Sequence, residues 1–309
     1  MPPLTGALPS IARVRHMVSV DQPAPALDPA AVARAHRAVE PLHAQIYFAP
    51  ELEERLTGLG LKAGRMSYFA GRAAAMGPVG AGVVTATFYN FSPSLVAHMI
   101  PRAWELASPD QIVRARLEAS RASLTRLLGE DAAGSAEVAE LAGLLREACA
   151  VLTPEGRPLY AGHADLPWPE EPLLQLWHGA TLLREWRGDG HIAALLHAGL
   201  TGLEALITHT ATGRGFTEPA ARATRGWREE EWAAGCAALA DRGLLDGAGL
   251  TDDGKNLRTH IEVQTDALSA DPWLLLGPER TARVIELGKG LSRRLVAGGA
   301  FGSGVFAGT

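Results

Sequence analysis

The sequence predicts a mainly α protein, with a helical N-terminal half and a second half that contains one small β-hairpin. Ala, Leu, Arg and Glu dominate almost the whole chain, and runs of β-branched residues are rare, which favours helices. Apolar residues recur at helical spacing, as in the segment 108–129. The segment 246–254 (DGAGLTDDG) instead has the composition of a tight turn between two short strands.

Helix starts in the first half are marked by capping residues. Asp28 followed by Pro29 places an acceptor at the N-cap and a proline at the first helical position, and Ser108 begins another helix in the same way. The first helix should have a kink or a fresh start at Pro41, whose ring clashes with the preceding turn. The run VVTATFYNF (83–91) is compatible with either a buried strand or a core helix.

Helices and glycines alternate in the second half. An amphipathic helix at 173–187 should stop at Gly188-Asp189-Gly190, and an apolar helix should follow over 191–212. A further helix is predicted at 228–245, before the hairpin, and a long one at 255–273 after it.

The length of 309 residues suggests two domains. We expect a flexible extension at 1–28, a helical domain at 29–152, a Pro- and Gly-rich linker at 153–172, a second domain at 173–290 and a flexible tail at 291–309.

The second domain carries a recognisable pattern around its hairpin. A helix ends in L-x-x-R-G-L-L, a short turn follows, and L-T-x-x-G-x-x-L-R opens the next helix. The residues that fit are Leu239, Arg242, Gly243, Leu244, Leu245, Leu250, Thr251, Gly254, Leu257 and Arg258. Gly243 allows a positive φ at the helix end, Thr251 caps the next helix, and Gly254 permits close packing. This segment resembles the end of the winged helix found in MarR-type regulators, which implies a winged-helix module with a small β-wing.

A longer resemblance covers residues of about 35 to 290. Stretches such as YFAGRAAAMGPVG, FSPSLV, LREWRGDGH and TDALSADPW are similar to those of an actinobacterial family described only as helix-turn-helix proteins. The resemblance implies fold and ancestry rather than an activity.

Charge argues against a heavily basic DNA-binding surface. The net charge is −5, the predicted recognition helix begins with three glutamates (229–231), and the wing carries three Asp and no Lys or Arg. Basic residues gather just upstream, and we predict contacts to duplex DNA from Arg222, Arg225 and Arg228, with Arg214 nearby.

The densest group of polar residues lies around Gly188-Asp189-Gly190. Asp189 and His191 could pair as an orienting carboxylate and a general base, with Arg184 or Arg187 clamping an anion. Alternatively, Asp189 simply caps the helix that follows.

We expect these groups to face the first half across one pocket, because charged residues among apolar helices require partners. Arg72 should pair with Glu185 or Asp189 in that pocket. The predicted ligand-binding residues are His43, Tyr47, Tyr68, Arg72, His178, Arg184, Glu185 and Arg187.

No metal site is expected. His36, Glu40 and His43 have a spacing that suits a metal, but the predicted interruption at Pro41 would break their common face. No nucleotide-binding motif is present, and the sequence identifies no cofactor.

Two functions stay open. The first is a homodimeric, ligand-responsive transcriptional regulator, and the second is an enzyme that uses His191 and Asp189 and dimerises through the winged helix. A protein that only sequesters a metabolite differs from the second by lacking turnover. The two cysteines, the absence of an apolar stretch of ~18 residues and the lack of a signal-like start predict a cytoplasmic protein without membrane contact.

Overall fold

The computed structural model describes residues 27–213, 215–247 and 249–301, which form a mainly helical structure with one two-stranded sheet, as predicted. The first half contains α1 (Pro29–Ala44), α2 (Pro50–Gly58), α3 (Arg65–Ala73), α4 (Ala81–Phe88), α5 (Pro93–Met99), α6 (Arg102–Leu106), α7 (Pro109–Leu128), α8 (Glu130–Ala133), α9 (Ala136–Ala148) and α10 (Pro158–Ala164). The second half contains α11 (Pro172–His197), α12 (Gly202–Thr210), α13 (Glu218–Arg225), α14 (Glu229–Asp241), β1 (Leu245–Asp246), β2 (Gly249–Leu250), α15 (Asp252–Ala267) and α16 (Asp271–Ala297). The predicted extension, apart from residues 27 and 28, and residues 302–309 of the predicted tail lie outside the described residues.

The predicted helix caps are confirmed. The Asp28 side chain accepts a backbone N–H of the first turn of α1 at 3.0 Å. Ser108 and Gln111 form a capping box at the start of α7. Thr251 accepts a backbone N–H of the first turn of α15 at 3.0 Å. These caps depend on residues within one turn of each other, so local sequence is sufficient to predict them.

Two predictions about the first half are resolved by packing. α1 continues through Pro41 as one helix, so the predicted fresh start at this proline is wrong. Ala38 and Leu42 beside the proline are fully buried, and α1 packs along α11 and α16. Burial of this face outweighs the ~3 kcal/mol that a proline costs inside a helix. Of the two alternatives for VVTATFYNF, the helix is the one found, as α4.

The predicted break at Gly188-Asp189-Gly190 is also wrong, because α11 continues to His197. A Cβ atom at Gly190 would lie 2.7 Å from Nη1 of Arg157. That guanidinium lies across α11 and donates hydrogen bonds to the backbone carbonyls of Trp186 and Leu268. Glycine at position 190 therefore makes room for an arginine of another segment, rather than forming a turn.

The chain turns after α11 instead. Gly199 has a φ of +66°, and Thr201 forms a capping box with Glu204 that starts α12. The predicted apolar helix at 191–212 is therefore two separate helices. Within the described residues no single helix is long and apolar enough to cross a membrane, and α11 and α12 reach that length and apolarity only as a pair bent by 100°.

The hairpin matches its prediction. Leu245 pairs with Leu250 in an antiparallel register, and Gly243 ends the preceding helix with a φ of +70°. A Cβ atom at Gly254 would clash with the backbone carbonyl of Leu244, so glycine permits the close contact between α15 and the hairpin.

Buried apolar residues form two clusters that meet within α11. Its residues 173–186 join the larger cluster, which includes most of the first half and α16, whereas Ala194 and Leu195 join the smaller one with α12 to α15. The predicted limits at 153–172 and 173–290 do not coincide with these clusters, and the predicted linker contains α10. The predicted tail at 291–309 is wrong in its first part, since Leu291 and Leu295 of α16 are buried.

Candidate ligand-binding site

Two adjoining cavities lie between α1, α3, α11 and α13. The first, of about 370 Å³, is called here the histidine cavity because His36, His191 and His209 line it. The second, of about 610 Å³, is called the arginine cavity. Its arginines are Arg65, Arg72, Arg116, Arg184 and Arg225. Both volumes are within the range of small-molecule sites. The residues that line both cavities are Glu40, Tyr68, Arg72, Phe91, Arg184 and Arg225.

Glu185 of α11 is the centre of the buried ion pairs beside these cavities. Its Oε2 lies 2.6 Å from Nη1 of Arg184 and 3.2 Å from Nη2 of Arg72 on α3. Burial raises the pKa of Glu185, but the two guanidinium groups outweigh burial and hold that pKa well below its ordinary value. The predicted pairing of Arg72 with Glu185 is therefore confirmed.

His43 of α1 has a defined tautomer in this network. The Thr181 hydroxyl donates to the carbonyl of Trp177 at 2.8 Å, so it accepts a hydrogen bond from Nδ1 of His43, also at 2.8 Å. Nε2 of His43 then accepts from the hydroxyl of Tyr47 at 2.7 Å. Burial lowers the pKa of His43 well below its ordinary value, so the ring is neutral.

Six of the eight predicted ligand-binding residues meet in this region: His43, Tyr47, Tyr68, Arg72, Arg184 and Glu185. Arg187 lines the histidine cavity, where its Nη2 lies 2.8 Å from Oδ1 of Asp266. His178 lines neither cavity and packs edge-on against Trp168, with ring centroids 4.8 Å apart. It lies two helical turns before Glu185 on α11, too far along the helix for the two side chains to bind one metal ion.

Asp189 has a structural role that differs from both predictions. Its Oδ2 accepts the backbone N–H groups of Leu159 and Tyr160 at 3.0 and 2.9 Å, so it caps the N-terminus of α10. Asp189 caps a helix distant in sequence and not the helix that follows it. Burial raises its pKa to about 6, against the effect of these hydrogen bonds.

His191 lines the histidine cavity opposite the segments 36–40 and 68–72, as predicted. Its Nδ1, however, lies 2.8 Å from Oγ1 of Thr265 and not against Asp189. Two residues apart on one helix, Asp189 and His191 point in different directions, and each already has a partner. The predicted acid–base pair of His191 and Asp189 is therefore wrong.

The arginines predicted to contact DNA have three different environments. Arg228 is exposed and pairs with Glu231 at 3.1 Å, and Arg222 lies 3.8 Å from Glu229. Arg225 faces inward, between the rings of Phe91 and Phe216, with its Cζ 4.8 and 4.7 Å from their centroids. Arg225 is therefore a cavity residue in this structure. Arg214 lies outside the described residues.

Sequence reasoning missed Arg116, which is only 4% exposed and lines the arginine cavity. It is placed one turn after the buried Ile112 on the apolar face of α7. Helical periodicity places Arg116 on the apolar face of α7, and a charged residue on such a face is the signal that could have identified it.

In the second half, α12, α13 and α14 follow one another directly before the hairpin, and residues of α12 and α13 line the two cavities. A family model described as a helix-turn-helix family matches residues 32–302, and the chain belongs to that family. Neither a curated protein nor a solved structure matches the chain. Membership of this family points to a DNA-binding, regulatory role.

Proposed function

We propose that the protein is a transcriptional regulator whose affinity for duplex DNA responds to a small molecule bound in the two cavities. The family supports the DNA-binding role. The order of α12, α13, α14 and the hairpin supports a winged-helix module of the MarR type, with α14 as the recognition helix.

The turn at Tyr89 and Asn90 connects the histidine cavity to the helices that we propose bind DNA. Tyr89 and Asn90 line the histidine cavity, and Tyr89 has a φ of +49°, which is strained for a non-glycine residue. The Tyr89 hydroxyl donates to the carbonyl of Leu200, just before α12. Trp227, just before α14, donates its indole N–H to the carbonyl of Asn90 at 2.9 Å. A ligand that displaces this turn would therefore shift the ends of two DNA-binding helices.

Further contacts hold the same turn against α12 and α13. A Cβ atom at Gly202, the first residue of α12, would clash with the carbonyl of Tyr89. The backbone N–H of Ser92 donates to the carbonyl of Arg225 at 2.9 Å, at the end of α13. The side chain of Arg225 itself lines both cavities. All three helices of the DNA-binding module are thus connected to the segment 89–92.

The DNA-binding face offers few phosphate contacts. Glu229 and Glu230 at the start of α14 are exposed, and so is Arg228 just before them. Each phosphate neutralised by a protein adds about 0.9 to the slope of log K against log salt. We expect a shallow slope of magnitude about 2 to 4, which corresponds to one or two arginine contacts from each of two subunits.

Homodimerisation is part of the same proposal, because helix-turn-helix regulators usually bind two half-sites as dimers. Leu274 and Leu275 near the start of α16 are 58% and 43% exposed and offer apolar surface for a second copy. Light scattering of the wild type and of Leu274→Glu tests this: the variant should shift to the monomer.

The DNA-binding part is tested by selecting bound sequences from a random duplex pool at about 50 mM salt, where phosphate contacts are strongest. Anisotropy titrations of the selected duplex should then show a loss of affinity in Arg228→Ala. The exposed Arg114→Ala on α7 is the control. No duplex retention at that salt concentration would overturn the regulator and leave a ligand-sequestering protein.

The effector part is tested with fluorescent probes that bind apolar pockets. Ala44, at the end of α1, lines the arginine cavity, so Ala44→Trp should fill it and abolish probe binding. Unchanged probe binding in this variant would show that the cavity is not the ligand site.

A further inference from the structure

We infer that the arginine cavity binds an organic anion with an apolar body, and that Arg116 holds its charged group. The inference rests on the proposed effector cavity and adds the chemical class of the effector and the residue that recognises it.

Arg116 is buried without a hydrogen-bonding partner for most of its guanidinium. Its Nε and Nη2 atoms are inaccessible to solvent and have no partner among the described residues. The group lies over the ring of Trp177, with its Cζ 4.9 Å from the ring centroid. A cation–π contact offsets only part of the cost of burying a charge.

The residues around Arg116 do not balance its charge. Burial lowers the pKa of His163 to about 3 and of His178 to about 4, so both rings are neutral near pH 7. The carboxylate of Glu185 is already shared by Arg72 and Arg184. Buried charges are normally paired, so the free donors of Arg116 indicate an acceptor that enters from the cavity.

A second cation lies on the same cavity. Arg225 makes no ion pair within the described part of the chain, and its buried Nε has no hydrogen-bonding partner. Five arginines face two lining glutamates, Glu40 and Glu53, with Glu185 behind the wall, which leaves two positive charges unbalanced.

The rest of the lining defines the body of the ligand. Leu52, Phe69, Phe91 and Tyr47 contribute apolar and aromatic surface to the arginine cavity. The carboxylates of Glu40 and Glu53, which line the same cavity, would repel a highly charged anion such as a phosphate. The lining therefore fits a carboxylate or sulfonate carried on an aromatic body.

Two fluorescent probes that differ only in the anionic group test the inference. 1-Anilinonaphthalene-8-sulfonate carries a sulfonate, and N-phenyl-1-naphthylamine is its neutral counterpart. In an ordinary apolar pocket the neutral probe would bind more tightly, because the sulfonate must be desolvated. We expect the wild type to bind the sulfonate more tightly, by about tenfold or more.

Two variants then assign the charge recognition. Arg116→Met should weaken sulfonate binding by about tenfold or more and leave the neutral probe within about twofold. Arg114→Met, on the exposed side of the same helix, should change neither, and Ala44→Trp should abolish both. If Arg116→Met does not fold, the comparison of the two probes on the wild type decides.

The two proposals fail in different ways. Equal or tighter binding of the neutral probe by the wild type, with loss in Ala44→Trp, would overturn the anion inference and leave the effector cavity standing. Sulfonate binding unchanged in folded Arg116→Met would do the same. Binding of neither probe to the wild type would overturn both the inference and the effector part of the proposed function.

Discussion

Arg72 and Glu185, which are 113 residues apart in the chain, form a buried ion pair that joins α3 to α11. Arg184 shares the same carboxylate oxygen, and its Nε also lies 3.5 Å from Oε1 of Glu40. The carboxylate of Glu185 therefore holds together the α3 side and the α11 side of the cavity wall.

Glu185→Gln should lower the free energy of unfolding by about 3–5 kcal/mol, because it removes the counter-charge of the buried Arg72 and leaves Arg184 with Glu40 alone. Urea denaturation followed by circular dichroism measures the loss. Glu118→Gln is the control, since the pair of Glu118 with Arg55 is exposed and should contribute at most about 1 kcal/mol. Equal losses in the two variants would contradict this account.

Gly188 and Gly190 should respond oppositely to alanine. Gly190→Ala places a Cβ atom 2.7 Å from Arg157 and should cost about 1–3 kcal/mol by displacing it. At Gly188 the nearest neighbour of a Cβ atom is 3.8 Å away, so alanine should stabilise α11 by about 0.5–1 kcal/mol. Thermal unfolding distinguishes the two, and destabilisation by both would favour the turn predicted from the sequence.

Asp189→Ala should destabilise the protein by about 1–2 kcal/mol, because two backbone N–H groups of α10 lose their acceptor. Asp189→Asn keeps an acceptor and should cost less at pH 7. Loss of structure in α10 is detectable by hydrogen exchange at Leu159 and Tyr160. Unchanged exchange at these amides in Asp189→Ala would rule out the cap.

The same carboxyl predicts a pH dependence. Burial raises the pKa of Asp189 to about 6 from an ordinary 3.8, so the native state holds the proton more strongly than the unfolded chain. Ionisation of Asp189 therefore lowers the free energy of unfolding as the pH rises from about 4 to 6. Asp189→Asn lacks this cost, and its stability relative to the wild type should improve over that interval.

His178 gives the free energy of unfolding the opposite dependence on pH. Burial lowers its pKa to about 4, so below pH 6.5 the unfolded chain binds a proton that the native state does not. Stability should therefore fall as the pH drops from 6.5 towards 4. His178→Phe should reduce the slope near pH 5 by up to about 1.4 kcal/mol per pH unit. The exposed His98→Phe is the control, and equal slopes in both variants would refute the assignment.

Local signals explain which parts of the fold could be predicted. The caps at Asp28, Ser108 and Thr251 depend on neighbours within one turn, and the sequence was sufficient for each. The pairing of Arg72 with Glu185 was also predictable, since charges among apolar helices must find partners.

Long-range contacts explain the rest. Gly190 has the local signature of a turn, but Arg157 determines its role from 33 positions away in the chain. Asp189 has the signature of a cap, but the helix that it caps lies earlier in the chain. The Nε and Nη2 atoms of Arg116 have no hydrogen-bonding partner among the described residues, so no contact within that part of the chain could have indicated the role proposed for it.

The uninterrupted α11 also constrains how the molecule can move. Its 26 residues extend about 39 Å from the larger apolar cluster into the smaller one, as a rod without a joint at its glycines. The chain changes direction beyond the end of α11, at Gly199, whose φ of +66° separates it from α12. Under the proposed function, a ligand that displaces Tyr89 would therefore rotate α12 to α14 about Gly199, at the end of this continuous helix.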